Sequence, residues 1–210
     1  MGCRPTVFIV DDDPAIRHAM ELLMRSVGQL CETFHSADEF LESYAADRPG
    51  CLVLDIRMPG LGGFELQTRL QELGSSLPII FITGHGDVPM AVLAMQNGAF
   101  DFLQKPFRDQ DLLERIGHAI RADGRRRAEL QKRLDVASYL QKLTRREREV
   151  MDLVVTGKPN KVIAFELGVS QRTVEIHRAR VMEKMQAASL ADLVRMNLEA
   201  NKDNFEIGSR

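Results

Sequence analysis

Five short apolar runs punctuate the first 120 residues, at about 6–10, 30–34, 51–54, 78–82 and 100–103. Between them apolar residues recur at the helical period, as in Ile16, Met20, Leu23, Met24 and Val27. Short continuous apolar runs read as strands buried on both faces, the habit of parallel sheets. Strands alternating with helices predict an α/β doubly wound five-stranded parallel sheet with helices on both sides. Asp13 as N-cap and Pro14 in the first turn give the first helix a clean start.

The pattern changes near residue 124. Arg125-Arg126-Arg127 opens a polar, helix-favouring segment through Lys142, with Leu130, Leu134, Ala137 and Leu140 as a thin apolar stripe. It reads as a solvated linker helix into which the preceding helix could continue. A short dimer-forming coil is the alternative, although a convincing coiled coil needs roughly three or four heptads and barely two are present. From Leu143 every segment is helical. Thr144 and Glu147 form a capping box, with Val150, Leu153 and Val154 on the inner face behind them. Gly157-Lys-Pro-Asn160 breaks that helix, and a short helix runs from Lys161 to Leu167, ended by Gly168. Ser170 caps a longer one, Gln171 to Met185, and a fourth runs from about Ser189 to Ala200. A short helix, a tight turn containing glycine and a longer helix carrying Arg and His form the helix-turn-helix pattern. The predicted division is therefore a sheet domain at 5–122, a helical linker at 123–142 and an all-α four-helix domain at 143–205.

Charge sharpens this division. The net charge of −2 hides 10 Lys+Arg against 18 Asp+Glu through Gly124, and 18 against 12 from Arg125 onward. The balances are −8 and +6, so the second half is the candidate for nucleic acid. No stretch approaches the roughly 20 apolar residues of a membrane span, and the N-terminus lacks the apolar core of a signal peptide. The expectation is a cytoplasmic protein without membrane contact. Cys3, Cys31 and Cys51 lack metal-ligand spacing and read as reduced thiols.

Candidate chemistry gathers where the strands end. The run Val7 to Val10 leads into Asp11-Asp12-Asp13, Cys51 to Leu54 into Asp55, Ile79 to Ile82 into Thr83, and Phe100 to Leu103 is followed by Lys105-Pro106. Ligands in open α/β sheets bind at the carboxyl ends of strands. Carboxylates crowded there need a shared cation, and hard oxygen ligands suit Mg²⁺. Carboxylates beside a metal and a lysine are equipped to accept a phosphoryl group, since that chemistry needs mainly positioning and charge compensation. Asp55, alone at the end of the central strand, is the best nucleophile.

Residues 5–122 resemble the receiver domain of two-component response regulators, a flavodoxin/CheY-like fold. The likeness rests on Val10-Asp-Asp-Asp13, Leu54-Asp55 with Met58-Pro59-Gly60, Ile82-Thr83-Gly84 and Lys105-Pro106-Phe107. It implies Asp55 as phosphoacceptor, with Asp12, Asp55 and the Arg57 backbone carbonyl as Mg²⁺ ligands and Asp11 acting through water. It also implies that Thr83 moves toward the phosphoryl oxygens, that Lys105 holds one of them, and that Phe102 turns inward. Phe102 lacks the hydroxyl of the tyrosine frequent there. The resemblance also implies that the Arg57 and His85 side chains occupy positions that in that family tune phosphate lifetime.

Residues 143–202 resemble the LuxR/NarL helix-turn-helix through Leu143-Thr-Arg-Arg-Glu-Arg-Glu-Val150 and the segment Gly168 to Met185. With Gly84-His-Gly-Asp87, the whole chain is similar to the FixJ-type regulators. The recognition helix would lie in the major groove. Helical spacing turns Val174, Val181 and Met185 inward, while the resemblance gives Glu175, Ile176 and Ala179 the groove-facing positions. Lys161, Ser170, Arg172, Thr173, His177, Arg178 and Arg180 are assigned to the phosphate backbone or its flanks, His177 alternatively to a helix–helix contact. Glu175 can accept from a cytosine amine.

The expected protein is a phosphorylation-activated, DNA-binding transcription regulator, with activation favoured by the family likeness. Its expected partners are a sensor histidine kinase, double-stranded promoter DNA, RNA polymerase and, on phosphorylation, a second copy dimerised through the face at about 87–104. It is not expected to be an enzyme: a haloacid-dehalogenase-like phosphatase needs an acid two residues after its nucleophile, where Arg57 stands. The other alternative is a phosphorylation-independent regulator keeping the receiver as a dimerisation module.

Overall fold

The computed structural model describes residues 4–84 and 88–206. They fall into two units, Met1–Arg127 and Ala128–Arg210.

In the first unit, β1 (Thr6–Val10), β2 (Leu30–Phe34), β3 (Gly50–Asp55), β4 (Ile79–Thr83) and β5 (Asp101–Gln104) form one parallel sheet in the order β2-β1-β3-β4-β5. Helices α1 (Pro14–Ser26), α2 (Ala37–Ser43), α3 (Gly63–Glu72), α4 (Val88–Gln96) and α5 (Asp109–Gln141) connect or follow the strands. Every residue of β1, β3 and β4 is buried, which is why these segments read as unbroken apolar runs. Alternate residues serve opposite half-cores. Phe8, Val10, Leu52, Leu54 and Phe81 meet Phe40, Leu66, Leu70 and Ala94 of α2 to α4. Val7, Ile9, Val53, Ile80 and Ile82 meet Met20, Met24, Leu112 and Ile116 of α1 and α5. Strands β3 and β4 extend one residue further than the apolar runs, so Asp55 and Thr83 are strand residues rather than loop residues. Cys51 is buried, which pushes its thiol up to about 12 and keeps it unreactive; Cys31 is half-buried. Cys3 lies outside the described residues.

The second unit contains α6 (Arg145–Val155), α7 (Asn160–Leu167), α8 (Gln171–Lys184) and α9 (Leu190–Glu206). The expected caps are present. Thr144 and Glu147 form the capping box, and Ser170 Oγ accepts from Thr173 N–H at 3.0 Å. Gly168 ends α7 at φ 65°, the left-handed geometry glycine enters without a Cβ clash.

The linker stripe is corrected. Helix α5 continues to Gln141, but Leu130 and Leu134 are more than half exposed and Ala137 is exposed. It is Val136, with Tyr139 and Leu140, that packs against Val150, Met151, Leu193 and Met196. Positions 136, 139 and 140 share one face of the helix, so the end of the expected linker supplies core to the second unit. Tyr139 also donates from its hydroxyl to Gln186 Oε1 at 3.0 Å.

Candidate functional site: an acidic pocket and a helix-turn-helix

Parallel register assembles the acidic pocket. Val10 pairs with Leu54, so Asp11 and Asp55 follow side by side. Asp55 stands opposite Ile82, with Thr83 next in line. Thr83 opposes Gln104, and the Lys105 N–H donates to the Thr83 carbonyl at 2.8 Å. Lys105 Nζ then reaches back, donating to Asp11 Oδ2 at 2.7 Å and Asp55 Oδ2 at 2.8 Å. The Arg57 N–H donates to Asp55 Oδ1 at 3.1 Å, which fixes the backbone just after the strand. Asp11 and Thr83 are buried, Asp55 is 8% exposed, and Asp12 lies open to solvent at the mouth.

Adjacent aspartates take different jobs. Asp13 Oδ1 accepts from Ala15 N–H at 2.8 Å and serves the α1 cap. Asp11, Asp12 and Asp55 instead offer carboxylate oxygens within 4.8 Å of one another. Burial pushes the Asp11 carboxyl up from its ordinary value, against bonds from Lys105 and the Asp13 N–H, and the Asp55 charge pushes it further. Burial alone would lower Lys105, yet its bonds to Asp11 and Asp55 raise it overall, so it remains an ammonium. Three carboxylates facing one ammonium leave excess negative charge. An all-oxygen donor set with one open side fits a hard divalent cation.

Two supports escaped the sequence reading. Arg17 Nη1 donates to the Asp11 carbonyl at 2.6 Å and clamps the acidic turn. It lies one turn into α1, where an arginine reads as an ordinary surface charge. Gly63 is the second. A Cβ there would lie 2.5 Å from the Asp55 carbonyl oxygen and 2.9 Å from Ile56 Cα, both backbone atoms. Gly63→Ala is therefore expected to cost about 1–3 kcal/mol of stability. Urea unfolding checks this; an unchanged midpoint would show that the contact relaxes freely.

Phe102 opposes Phe81 and packs, partly buried, against the α2–α4 half-core. The Arg57 side chain is exposed and approaches Met90 Sδ of α4 at 4.0 Å. His85, with Gly86 and Asp87, lies outside the described residues.

In the second unit Val174, Val181 and Met185 are buried, so α8 presents its opposite face outward. Arg172, Glu175, Ile176, Ala179 and Arg180 are exposed on it, as is Lys161 on α7. Ser170 is exposed, but its hydroxyl is committed to the cap and to Thr173 Oγ1 at 2.8 Å. Thr173, His177 and Arg178 are half-buried on the flanks of α8. His177 Nδ1 is buried without a partner among the described residues, and Arg178 Nη1 donates to Asn160 Oδ1 at 3.0 Å. Lys184, near the end of α8, donates to Glu147 Oε2 at 2.6 Å and so joins α8 to the α6 cap.

Residues 7–117 match the response regulator receiver domain, and residues 141–197 match the bacterial regulatory proteins of the luxR family. The chain is 50% identical over 191 residues to Nodulation protein W of Bradyrhizobium diazoefficiens, covering 91% of this chain and 84% of that protein. It is 47% identical to the transcriptional regulatory protein FixJ of Rhizobium meliloti, covering 92% and 95% respectively. The solved structure of the response regulator StyR overlays with a TM-score of 0.87 at 44% identity, covering 94% of this chain and all of that one. Among the described residues no helix is long and apolar enough to cross a membrane. The chain belongs to the two-component response regulators that join a receiver domain to a LuxR-type DNA-binding domain, and it is a transcription regulator rather than an enzyme.

Proposed function

We propose that Asp55 accepts a phosphoryl group from the phosphohistidine of a sensor kinase, and that this event activates DNA binding. The observation that carries the reading is the Lys105 ammonium bridging Asp11 and Asp55 at the end of the central strand. An Asp55 carboxylate oxygen attacks phosphorus, the P–N bond breaks, and its electron pair leaves on the imidazole nitrogen. Lys105 compensates the incoming charge and holds a phosphoryl oxygen. Asp12, Asp55 and the Arg57 carbonyl would hold Mg²⁺, with Asp11 acting through water; the ion would neutralise the phosphoryl oxygens. Thr83 moves its hydroxyl to the phosphoryl group, and Phe102 settles deeper into the half-core it already touches.

That rearrangement reaches the α4–β5 face. Val92, Leu93 and Met95 are each close to half exposed on α4, an apolar surface suited to a second copy. Pairing two receivers favours binding of two helix-turn-helix modules to paired half-sites. Glu175, Ile176 and Ala179 face the groove, while Arg172 and Arg180, exposed beside them, reach the phosphate backbone. Ser170, Thr173, His177, Arg178 and Lys161 serve the flanking phosphates. RNA polymerase is the downstream partner, and the cytoplasm is the place of action.

Adding beryllofluoride, a phosphoryl analogue, with Mg²⁺ is expected to double the mass by light scattering. It should also tighten binding to a promoter duplex by roughly tenfold or more, within the usual range of allosteric coupling. Identical mass and affinity in both states would refute the switch and favour a phosphorylation-independent regulator.

A further inference from the structure

Most cations on this module's described surface are already neutralised within the chain. Arg145 and Arg146 pair with Glu149, Arg148 with Asp152, Lys158 with Glu166, Arg172 with Glu175, Lys184 with Glu147 and Arg195 with Asp192. Arg178 differs. It has no carboxylate partner among the described residues, yet its guanidinium does not swing free: Nη1 donates to Asn160 Oδ1 at 3.0 Å. The acceptor is a neutral amide on the first residue of α7, eighteen positions earlier in the chain. Both residues are half-buried, so the bond lies where water competes weakly.

A neutral acceptor does what a carboxylate cannot. It holds the planar fork in one orientation while leaving the full positive charge for another anion. One of five N–H donors is used, and the rest stay in fixed geometry. Arg178 sits on the flank of α8 nearest α7, beside the exposed face carrying Glu175 and Ala179 and on the same side as the start of α7 with Lys161. A duplex whose groove receives that exposed face brings its phosphates along this flank.

We propose that Asn160 is a positioning residue for DNA binding, and that it pre-orients Arg178 toward a backbone phosphate without cancelling its charge. The proposal rests on the reading of α8 as the recognition helix. It says that Arg178 binds tightly because its rotamers are restricted before the duplex arrives.

Three variants of the full chain, each activated with beryllofluoride and Mg²⁺, separate the effects when titrated against a 30-bp mixed-sequence duplex over a series of salt concentrations. Arg178→Ala removes the charge, so the slope of log K against log salt falls by about 0.9. Asn160→Asp keeps the orientation but neutralises the guanidinium, so affinity drops and the slope falls by a similar amount, about 0.9. Asn160→Ala keeps the charge and frees the side chain, so affinity drops by about three- to tenfold with the slope unchanged. The double variant Asn160→Ala/Arg178→Ala should bind like Arg178→Ala alone. Thermal unfolding of each variant establishes folding, and a purely structural role for Asn160 would leave the Asn160→Asp slope at the wild-type value. The proposal is overturned if Asn160→Ala binds as wild type, if Arg178→Ala leaves the slope unchanged, or if the two losses add. A wild-type chain showing no salt-dependent duplex binding would instead sink the assignment of α8, a result distinguishable from these.

Discussion

Asp55→Asn is expected to take up no phosphoryl group from acetyl phosphate in Mg²⁺ buffer, whereas the wild-type chain is labelled stoichiometrically. Asparagine is close in shape to aspartate, and its amide oxygen can still accept from one of the two donors there, the Arg57 N–H that meets Oδ1 or the Lys105 ammonium that meets Oδ2. What it lacks is an anionic oxygen able to attack phosphorus. The variant should therefore fold as wild type and fail only in chemistry, and intact-mass spectrometry reads both species directly. Persistent labelling would move the acceptor elsewhere in the acidic pocket. Asp11 is a poor substitute because it is buried and its carboxyl is pushed up from its ordinary value by that burial.

Lys184→Met should give the largest loss of stability in the DNA-binding module. Glu147 is 2% exposed, and Lys184 is its only cationic partner among the described residues. Removing the ammonium leaves a buried carboxylate without a counter-charge, held only by the Thr144 cap. The cost should be about 2–3 kcal/mol, at or below the low side of the usual range for broken buried pairs because a third of the Lys184 side chain reaches water. Burial alone would raise the Glu147 carboxyl, but Lys184 and the Thr144 N–H and hydroxyl outweigh it and bring the value down to about 2. A depressed carboxylate stabilises the fold fully above its ordinary value of 4.5, and that contribution fades as pH falls toward 2. The gap between wild type and Lys184→Met should thus be widest above pH 4.5 and narrow through that window. Urea unfolding followed by circular dichroism measures it. A gap under about 0.5 kcal/mol at neutral pH would place the variant among ordinary surface changes and overturn the argument.

The acidic pocket was legible in the sequence because each member sits at the end of an apolar run, and a parallel sheet turns four such ends toward one edge. Asp13 was set apart from Asp12 by Pro14 directly behind it, which marks the N-cap, and its Oδ1 accepts from the Ala15 N–H while Asp12 stays with Asp11 and Asp55. The linker stripe misled. Leu130, Leu134, Ala137 and Leu140 satisfy the helical period, but so do Val136, Tyr139 and Leu140, and periodicity cannot say which face meets a neighbour. Asn160–Arg178 and Glu147–Lys184 join residues 18 and 37 positions apart, and such pairs depend on how helices cross. Caps at Thr144 and Ser170 were readable because their partners lie three residues away.

The alternation of strand residues between two half-cores has an evolutionary corollary. Val53 and Leu54 are covalent neighbours, yet one answers to α1 and α5 and the other to α2 through α4. Drift on either side of the sheet can be compensated locally, without renegotiating the opposite layer. A lineage can therefore repack the side of the sheet under α2 to α4 while the packing under α1 and α5 stays as it is.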